Sequence, residues 1–127
     1  MRNLVKATKA LSDETRLRII HLLLVRECCV CEVMQALGIS QTRASRNLNL
    51  LYDAGFLKMR KEGLWALYSL DQEDIPIYLG KLVEATALAL GDDKVAQDDR
   101  ERLKGASRTG TICPQLTAGA GSKALKT

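Results

Sequence analysis

Apolar residues recur at helical spacing in four stretches of the first 54 positions, which predicts four helices. The first stops near Ser12-Asp13, residues that suit the start of a second helix over 13–25. A short third helix ends at Gly38, and Ser40 can cap a fourth over 41–54. The residues that form the apolar face of each helix are Leu4, Ala7, Ala10 and Leu11, then Leu17, Ile20 and Leu24, then Val33, Met34 and Leu37, and finally Ala44, Leu48 and Leu51.

Two apolar runs, 56–60 and 64–70, predict a β-hairpin with Glu62-Gly63 at its turn. Ile75-Pro76 then opens a last long helix. Its apolar stripe is predicted to pair with a second copy of the chain, helped by the first helix, and consists of Ile75, Leu79, Leu82, Val83 and Leu90. The pattern as a whole predicts a mainly α-helical fold with one small β-hairpin.

The composition changes after Gly91. Residues 92–104 alternate in charge and predict a frayed helix, whereas 105–127 are rich in Gly, Ala, Ser and Thr and predict a mobile tail. We therefore divide the chain into a domain over 1–90 and a C-terminal tail over 91–127.

The chain has 127 residues, of which 46% are hydrophobic, enough for one domain with a small core. Its net charge is only +4, but residues 40–62 carry an excess of three positive charges, which suits an anionic partner. No apolar run is long enough to cross a membrane and no secretory signal is evident, so we expect a cytoplasmic protein. Four cysteines in that setting indicate thiols or metal ligands rather than disulfides.

Residues 31–54 form two predicted helices joined by Gly38-Ile39-Ser40, a helix-turn-helix pattern. The polar face of the second helix suits base edges and phosphates in the major groove. The hairpin that follows is basic and suits the DNA backbone. A solvated polar face is the simpler alternative, but the order of the elements together with the basic hairpin favours DNA binding. The predicted DNA contacts are Gln41, Thr42, Ser45, Arg46 and Asn49 on the helix, with Arg60 and Lys61 on the hairpin.

Four segments resemble the ArsR/SmtB family of metalloregulatory repressors. Residues 11–19 (LSDETRLRI) resemble its opening signature, and 39–48 (ISQTRASRNL) resemble its recognition helix. Residues 51–57 (LYDAGFL) and 62–70 (EGLWALYSL) resemble its lead into the wing and the wing itself. The resemblance implies a winged helix-turn-helix homodimer that binds double-stranded operator DNA and releases it on binding an inducer. Asn47 stands where the family usually has His, which points to a different operator sequence.

Cys28, Cys29 and Cys31 form a thiol cluster at the start of the third helix, between two glutamates. Three thiols in four residues suit a thiophilic ion, and the helix N-terminus should favour thiolate. The alternative is a run of small buried apolar residues. At about 100° per residue, Cys28 and Cys31 should share a face while Cys29 points elsewhere. Either the first turn unwinds to bind an ion, or one ligand comes from another segment.

The resemblance also implies an inducer. Arsenic-responsive members carry a Cys-Val-Cys motif, matched by Cys29-Val30-Cys31, and often a further Cys where this chain has Met34. Cys28 is the expected replacement, with Cys113 as the other candidate. The implied inducer is trivalent arsenic or antimony, and no resident cofactor is expected. The last helix lacks the His residues of zinc-sensing members, and residues 1–27 lack the Cys of cadmium- and lead-sensing members.

Three other functions are alternatives to this one. The cluster could serve a thiol redox sensor, or it could respond to another soft metal such as cadmium. A thiol enzyme would need an activating base, and His21, the one histidine of the chain, is poorly placed to act as one. We therefore expect a repressor and no enzymatic activity.

Overall fold

The structure is a computed structural model that describes residues 1–108. It confirms the predicted fold class: helices surround one two-stranded antiparallel hairpin. The predicted tail beyond 108, including Cys113, lies outside the described residues. In chain order the elements are α1 (Arg2–Leu11), α2 (Glu14–Val25), α3 (Val30–Leu37), α4 (Gln41–Asp53), β1 (Leu57–Glu62), β2 (Trp65–Leu70), α5 (Ile77–Leu90) and α6 (Lys94–Lys104).

The predicted helix boundaries around the helix-turn-helix are confirmed by their capping contacts. The Asp13 side chain accepts a hydrogen bond from the Arg16 amide at 3.1 Å and so begins α2. Gly38 ends α3 with φ at +71°, a conformation that glycine adopts without strain. Ser40 then accepts from the Arg43 amide at 3.2 Å, so α4 starts directly after a short turn.

The core lies between α2, α4 and the hairpin. Ala44, Leu48 and Leu51 of α4 are fully buried, as their spacing predicts. Phe56, at the entry to the hairpin, is the largest fully buried side chain. A second, smaller cluster joins Cys29, Cys31 and Leu67, with Met34 and Trp65 packed against it. The largest fully buried apolar side chains besides Phe56 include Ile19, Ile20, Leu22, Leu48, Leu51 and Leu67.

The hairpin differs from the prediction by one residue and has an additional partner. Glu62 pairs with Trp65, so the turn is Gly63-Leu64 rather than Glu62-Gly63. The segment before α3 adds an isolated β-bridge to β2: the Cys28 amide donates to the Tyr68 carbonyl at 3.0 Å, and the Tyr68 amide donates back at 2.8 Å. Sequence alternation predicted the two strands but not this bridge.

Helix α5 faces differently from the prediction. Leu79 and Val83 are buried in the core of their own chain, so they are not open to a second copy. The residues that α5 exposes are others: Ile77 is 81% exposed and Leu88 is 84% exposed. The predicted stripe therefore packs α5 against its own domain. A different face of α5 is apolar and exposed to solvent.

Helix α6 packs on α2 and α3, although its alternating charges predicted fraying. Asp99 is fully buried and accepts two hydrogen bonds from Arg18, both at 2.8 Å, and one from Arg102 at 2.8 Å. The two arginines also donate to the carbonyls of Leu37 and Ala36 at the end of α3. Paired buried charges thus dock α6 together with the buried apolar side chains of Ala96 and Leu103. The domain boundary after residue 90 stays a prediction.

His21 lies buried between α2 and α6 and contacts Arg100. Burial lowers the pKa of His21, and the charge of Arg100 lowers it further. The neutral imidazole therefore packs as part of this helix contact.

Within residues 1–108 none of the helices combines the length and the apolar character needed to cross a membrane.

Replacing Asp99 with Ala should destabilise the domain by about 3–5 kcal/mol, because two arginines would lose their buried counter-ion. Asp98→Ala is the matched control: Asp98 pairs with Lys94 in solvent and should contribute less than about 0.5 kcal/mol. Urea unfolding followed by circular dichroism at one protein concentration measures both values. Equal losses for the two variants would show that Asp99 does not dock α6.

Candidate DNA interface and cysteine cluster

The predicted DNA-contacting face of α4 is available on the surface. Thr42, Arg46 and Asn49 are exposed, and Gln41 and Ser45 are partly exposed. They lie on the side of α4 away from its buried apolar stripe. Within residues 1–108, Arg46 forms no ion pair, so its charge is available to a phosphate or a base edge.

A polar network fixes α4 against α2. Arg16 donates to the Asn47 side-chain oxygen at 2.8 Å, and Asn47 donates to the Arg43 carbonyl at 2.9 Å. Arg43 itself donates to the Thr15 hydroxyl at 2.8 Å. The effect of this position on the operator sequence stays a prediction, and Asn47 itself is only 7% exposed and is not open to a base edge. It positions the helix instead.

The two predicted wing contacts differ in their surroundings. Lys61 is exposed and forms no ion pair with any residue that the structure describes. Arg60 is held by two carboxylates: its Nη2 lies 2.6 Å from Glu27 Oε2 and 3.1 Å from Glu62 Oε1. The hydrogen bond from Arg60 also lowers the pKa of Glu27. Arg60 must therefore leave Glu27 before it can hold a phosphate in the same way.

Cys29 and Cys31 lie together at the N-terminus of α3. Their Sγ atoms are 3.3 Å apart, and both side chains are almost completely buried. Cys29 is the N-cap, with an extended backbone at φ −90° and ψ 173°. Its amide donates to Glu32 Oε1 at 2.9 Å, one half of a capping box.

Cys28 faces elsewhere, which corrects the predicted grouping of Cys28 with Cys31. Its Sγ lies 3.5 Å from the Arg26 carbonyl oxygen, and its side chain packs in the main core. The reason is that Cys28 precedes the helix and Cys29 is extended, so the rotation of about 100° per residue does not apply between them. Among residues 1–108 no three His, Cys, Asp or Glu side chains converge as a metal site.

Burial outweighs the helix N-terminus in its effect on the thiols. It raises the pKa of Cys28 to about 12 and that of Cys29 to about 11, opposite to the predicted lowering. Cys31 is disulfide-bonded, which corrects the expectation of thiols or metal ligands rather than disulfides. The cluster can therefore bind a soft ion through Cys31 only in its reduced form.

Glu32 is a functional candidate that the sequence analysis missed. It is 3% exposed, caps Cys29, and pairs with Arg26 at 3.1 Å and with Arg108 at 3.2 Å. Next to it, the Ser107 carbonyl accepts from the Gln35 side chain at 2.8 Å. The signal was present in the sequence, since a capping residue followed three positions later by Glu is the capping-box spacing, with Cys in place of Ser or Thr.

Comparisons with known proteins agree with this geometry. Residues 13–59 match the model of the bacterial regulatory protein, arsR family. The chain is 42% identical over 81 residues to the arsenical resistance operon repressor of Escherichia coli K12, covering 63% of this chain and 68% of that one. It is also 45% identical over 74 residues to a cadmium resistance transcriptional regulatory protein, a CadC homolog of Staphylococcus aureus. That match covers 58% of this chain and spans about three fifths (61%) of the relative.

A solved structure is similar in both fold and sequence. It is the homodimeric winged helix-turn-helix DNA-binding domain of a possible ArsR-family transcriptional regulator from Mycobacterium bovis, with a TM-score of 0.60 and 26% identity. The similarity covers 73% of this chain and 82% of that one. The polar face of α4 and the basic hairpin are features of DNA-binding proteins. The matched family and fold are likewise those of DNA-binding transcriptional regulators rather than of enzymes. The chain belongs to the ArsR family of bacterial regulatory proteins.

Proposed function

We propose that this ArsR-family regulator is a dimeric repressor that binds operator DNA in the cytoplasm and releases it when trivalent arsenic or antimony binds its cysteine cluster. One observation carries the inducer assignment. The Cys29 and Cys31 sulfurs lie 3.3 Å apart at the N-cap of α3, the helix that leads directly into the recognition helix α4.

The donor set suits a soft trivalent ion. Sulfur ligands select thiophilic ions over Mg²⁺ or Ca²⁺. Each As–S bond would replace an As–OH bond of arsenite, and the thiol proton would leave with that hydroxyl group as water. The chain's own residues supply two adjacent sulfurs in Cys29 and Cys31. The third is proposed to come from Cys28 or from Cys113, which lies outside the described residues.

Recruitment of Cys28 requires a change in the first turn of α3. Its side chain is buried in the main core while Cys29 and Cys31 belong to the second cluster. Bringing the three together would disturb the Cys29–Glu32 capping box and the backbone bridge from Cys28 to Tyr68. Because α3 packs on α4, this change would alter how the recognition helix is held. A coupling free energy of roughly 1–3 kcal/mol between inducer and DNA is enough for a response.

The relatives support the proposal without choosing between soft ions. One relative is named for arsenical resistance and the other for cadmium resistance. Trivalent arsenic is favoured here because Cys29 and Cys31 lie together at the N-terminus of α3. Residues 1–27 also lack the cysteines that the cadmium-sensing members of the resembled family carry there. Cadmium stays the competing inducer.

The proposed dimer uses the apolar surface that the fold leaves uncovered. Leu4 and Val5 of α1 are 46% and 43% exposed, and Ile77 and Leu88 of α5 are exposed further. Exposed apolar surface on the first and last helices of the domain suits a two-fold contact between copies. The homodimeric M. bovis domain supports this arrangement. Two α4 helices would then meet half-sites about one DNA turn apart or a multiple of it.

A redox response of the same cluster is a second candidate. The 3.3 Å approach of the Cys29 and Cys31 sulfurs favours it, since both sulfurs lie in one small cluster. Protein mass after mild oxidant, compared with mass after arsenite in a phosphine reductant, distinguishes the two. Loss of operator binding with oxidant and none with arsenite would favour the redox sensor.

Arg46→Ala should weaken operator binding by about 1–3 kcal/mol, because the exposed guanidinium lies on the DNA-facing side of α4. Lys61→Ala should weaken all sequences alike and reduce the salt slope by about one, as expected of a phosphate contact. Fluorescence anisotropy on operator and on scrambled duplex at several salt concentrations measures both. Operator affinity of Arg46→Ala equal to the parent's would show that the face is misassigned.

Cys29→Ser and Cys31→Ser should each keep operator binding and lose the response to arsenite. The fold should survive Cys29→Ser, because Ser is itself a preferred N-cap. Cys28→Ser should behave in the same way if Cys28 supplies the third sulfur, whereas Cys113→Ser should then change little. Anisotropy of labelled operator, titrated with arsenite, antimonite, cadmium and zinc under a phosphine reductant, gives the response.

Trp65 provides an independent measure of inducer binding in the same samples. It is the chain's one tryptophan and packs against the cluster of Cys29, Cys31 and Leu67. Its emission should change with arsenite in the parent and not in Cys29→Ser or Cys31→Ser. Operator release from either variant at the parent's arsenite concentration would exclude this cluster as the sensor.

A further inference from the structure

Glu27 connects the cysteine cluster to the wing. It lies in the segment between α2 and α3, directly before Cys28. Its carboxylate binds Arg60 of β1 through two contacts: Oε2 to Nη2 at 2.6 Å and Oε1 to Nε at 3.2 Å. This is the two-point pairing of guanidinium and carboxylate that fixes both side chains in one orientation.

A backbone contact holds the same segment in place. Cys28 and Tyr68 exchange two hydrogen bonds, at 3.0 and 2.8 Å, so the residue after Glu27 is held against β2 by an isolated β-bridge. Glu27 therefore reaches the wing from a position that depends on the conformation of Cys28. The Glu27 side chain is 29% exposed and that of Arg60 is 56% exposed, so solvent and DNA can still reach the pair.

The pairing is selective among the basic residues of the wing. Within residues 1–108, Lys58 and Lys61 form no ion pair, whereas Arg60 contacts both Glu27 and Glu62. A phosphate that pairs with Arg60 through Nε and Nη2 would need the donors that Glu27 occupies. Arg60 cannot hold both acceptors with these donors at once.

We propose that Glu27 is an intramolecular competitor of DNA phosphate for Arg60 and makes the wing responsive to the cysteine cluster. In the resting protein it weakens DNA binding by occupying the arginine. Its attachment to Cys28 lets ligand binding at the thiols change this competition. The response of the wing to the cysteine cluster, the second half of this proposal, rests on the proposed function. The competition between Glu27 and phosphate, the first half, requires only that the wing binds DNA.

A double-mutant cycle tests the first half. Glu27→Gln should tighten binding to operator and to scrambled duplex by about two- to five-fold for each protomer, the range expected for an exposed ion pair. The salt slope should steepen by roughly one for each protomer as Arg60 gains a phosphate contact. In the Arg60→Gln background, Glu27→Gln should change neither the affinity nor the salt slope, because there is then no arginine to release.

Glu73→Gln is the matched control, since Glu73 is an exposed carboxylate with no ion pair within residues 1–108. Its effect on affinity should be smaller than that of Glu27→Gln. A gain for Glu27→Gln that persists in Arg60→Gln would be a general effect of charge and would overturn the competition. An unchanged affinity for Glu27→Gln would overturn it as well.

The arsenite response tests the second half. The measured quantity is the ratio of operator Kd with and without arsenite, which should be smaller in both Arg60→Gln and Glu27→Gln than in the parent. Ratios equal to the parent's would remove the wing from the response. A parent that binds operator but does not respond to arsenite would refute the proposed inducer and this coupling together, and would leave the result of the cycle standing.

Discussion

The capping box between Cys29 and Glu32 is the contact on which the rest of this structure depends. It begins α3, an eight-residue helix that would not be stable alone and is held by its cap and its packing. The cap residue is itself a candidate ligand, with Cys31 Sγ 3.3 Å away. A ligand at these sulfurs therefore acts on the feature that defines where the helix starts.

Three parts of the protein meet at this helix start. The Cys28–Tyr68 bridge and the Glu27–Arg60 pair connect it to the wing. Glu32 pairs with Arg26 and Arg108, next to the end of α6, while α3 packs on the recognition helix. Since burial raises the pKa of the thiols, the resting cluster favours the protonated thiol of Cys28 and Cys29. Ligand binding must then supply the free energy to deprotonate and rearrange them.

Local signals in the sequence were enough to predict the helix-turn-helix. The contacts that begin and end these helices join residues close in sequence, as at Asp13, Gly38 and Ser40. The apolar stripe of α4 repeats at helical spacing. The features that sequence reasoning missed depend on distant partners. Asp99 meets Arg18 across 81 positions, and Glu27 meets Arg60 across 33. The direction of Cys28 likewise follows from its bridge to Tyr68, which no local pattern of the segment reveals.

Amide hydrogen exchange by NMR tests the central claim, that ligand binding at the thiols opens the first turn of α3. The Glu32 and Val33 amides both donate to the Cys29 carbonyl at 3.2 Å, so their exchange reports whether this turn is closed. With arsenite under a phosphine reductant, both amides should exchange faster, while buried amides of α2 should keep their rates. Unchanged protection at Glu32 and Val33 in protein shown by Trp65 emission to have bound arsenite would contradict the claim.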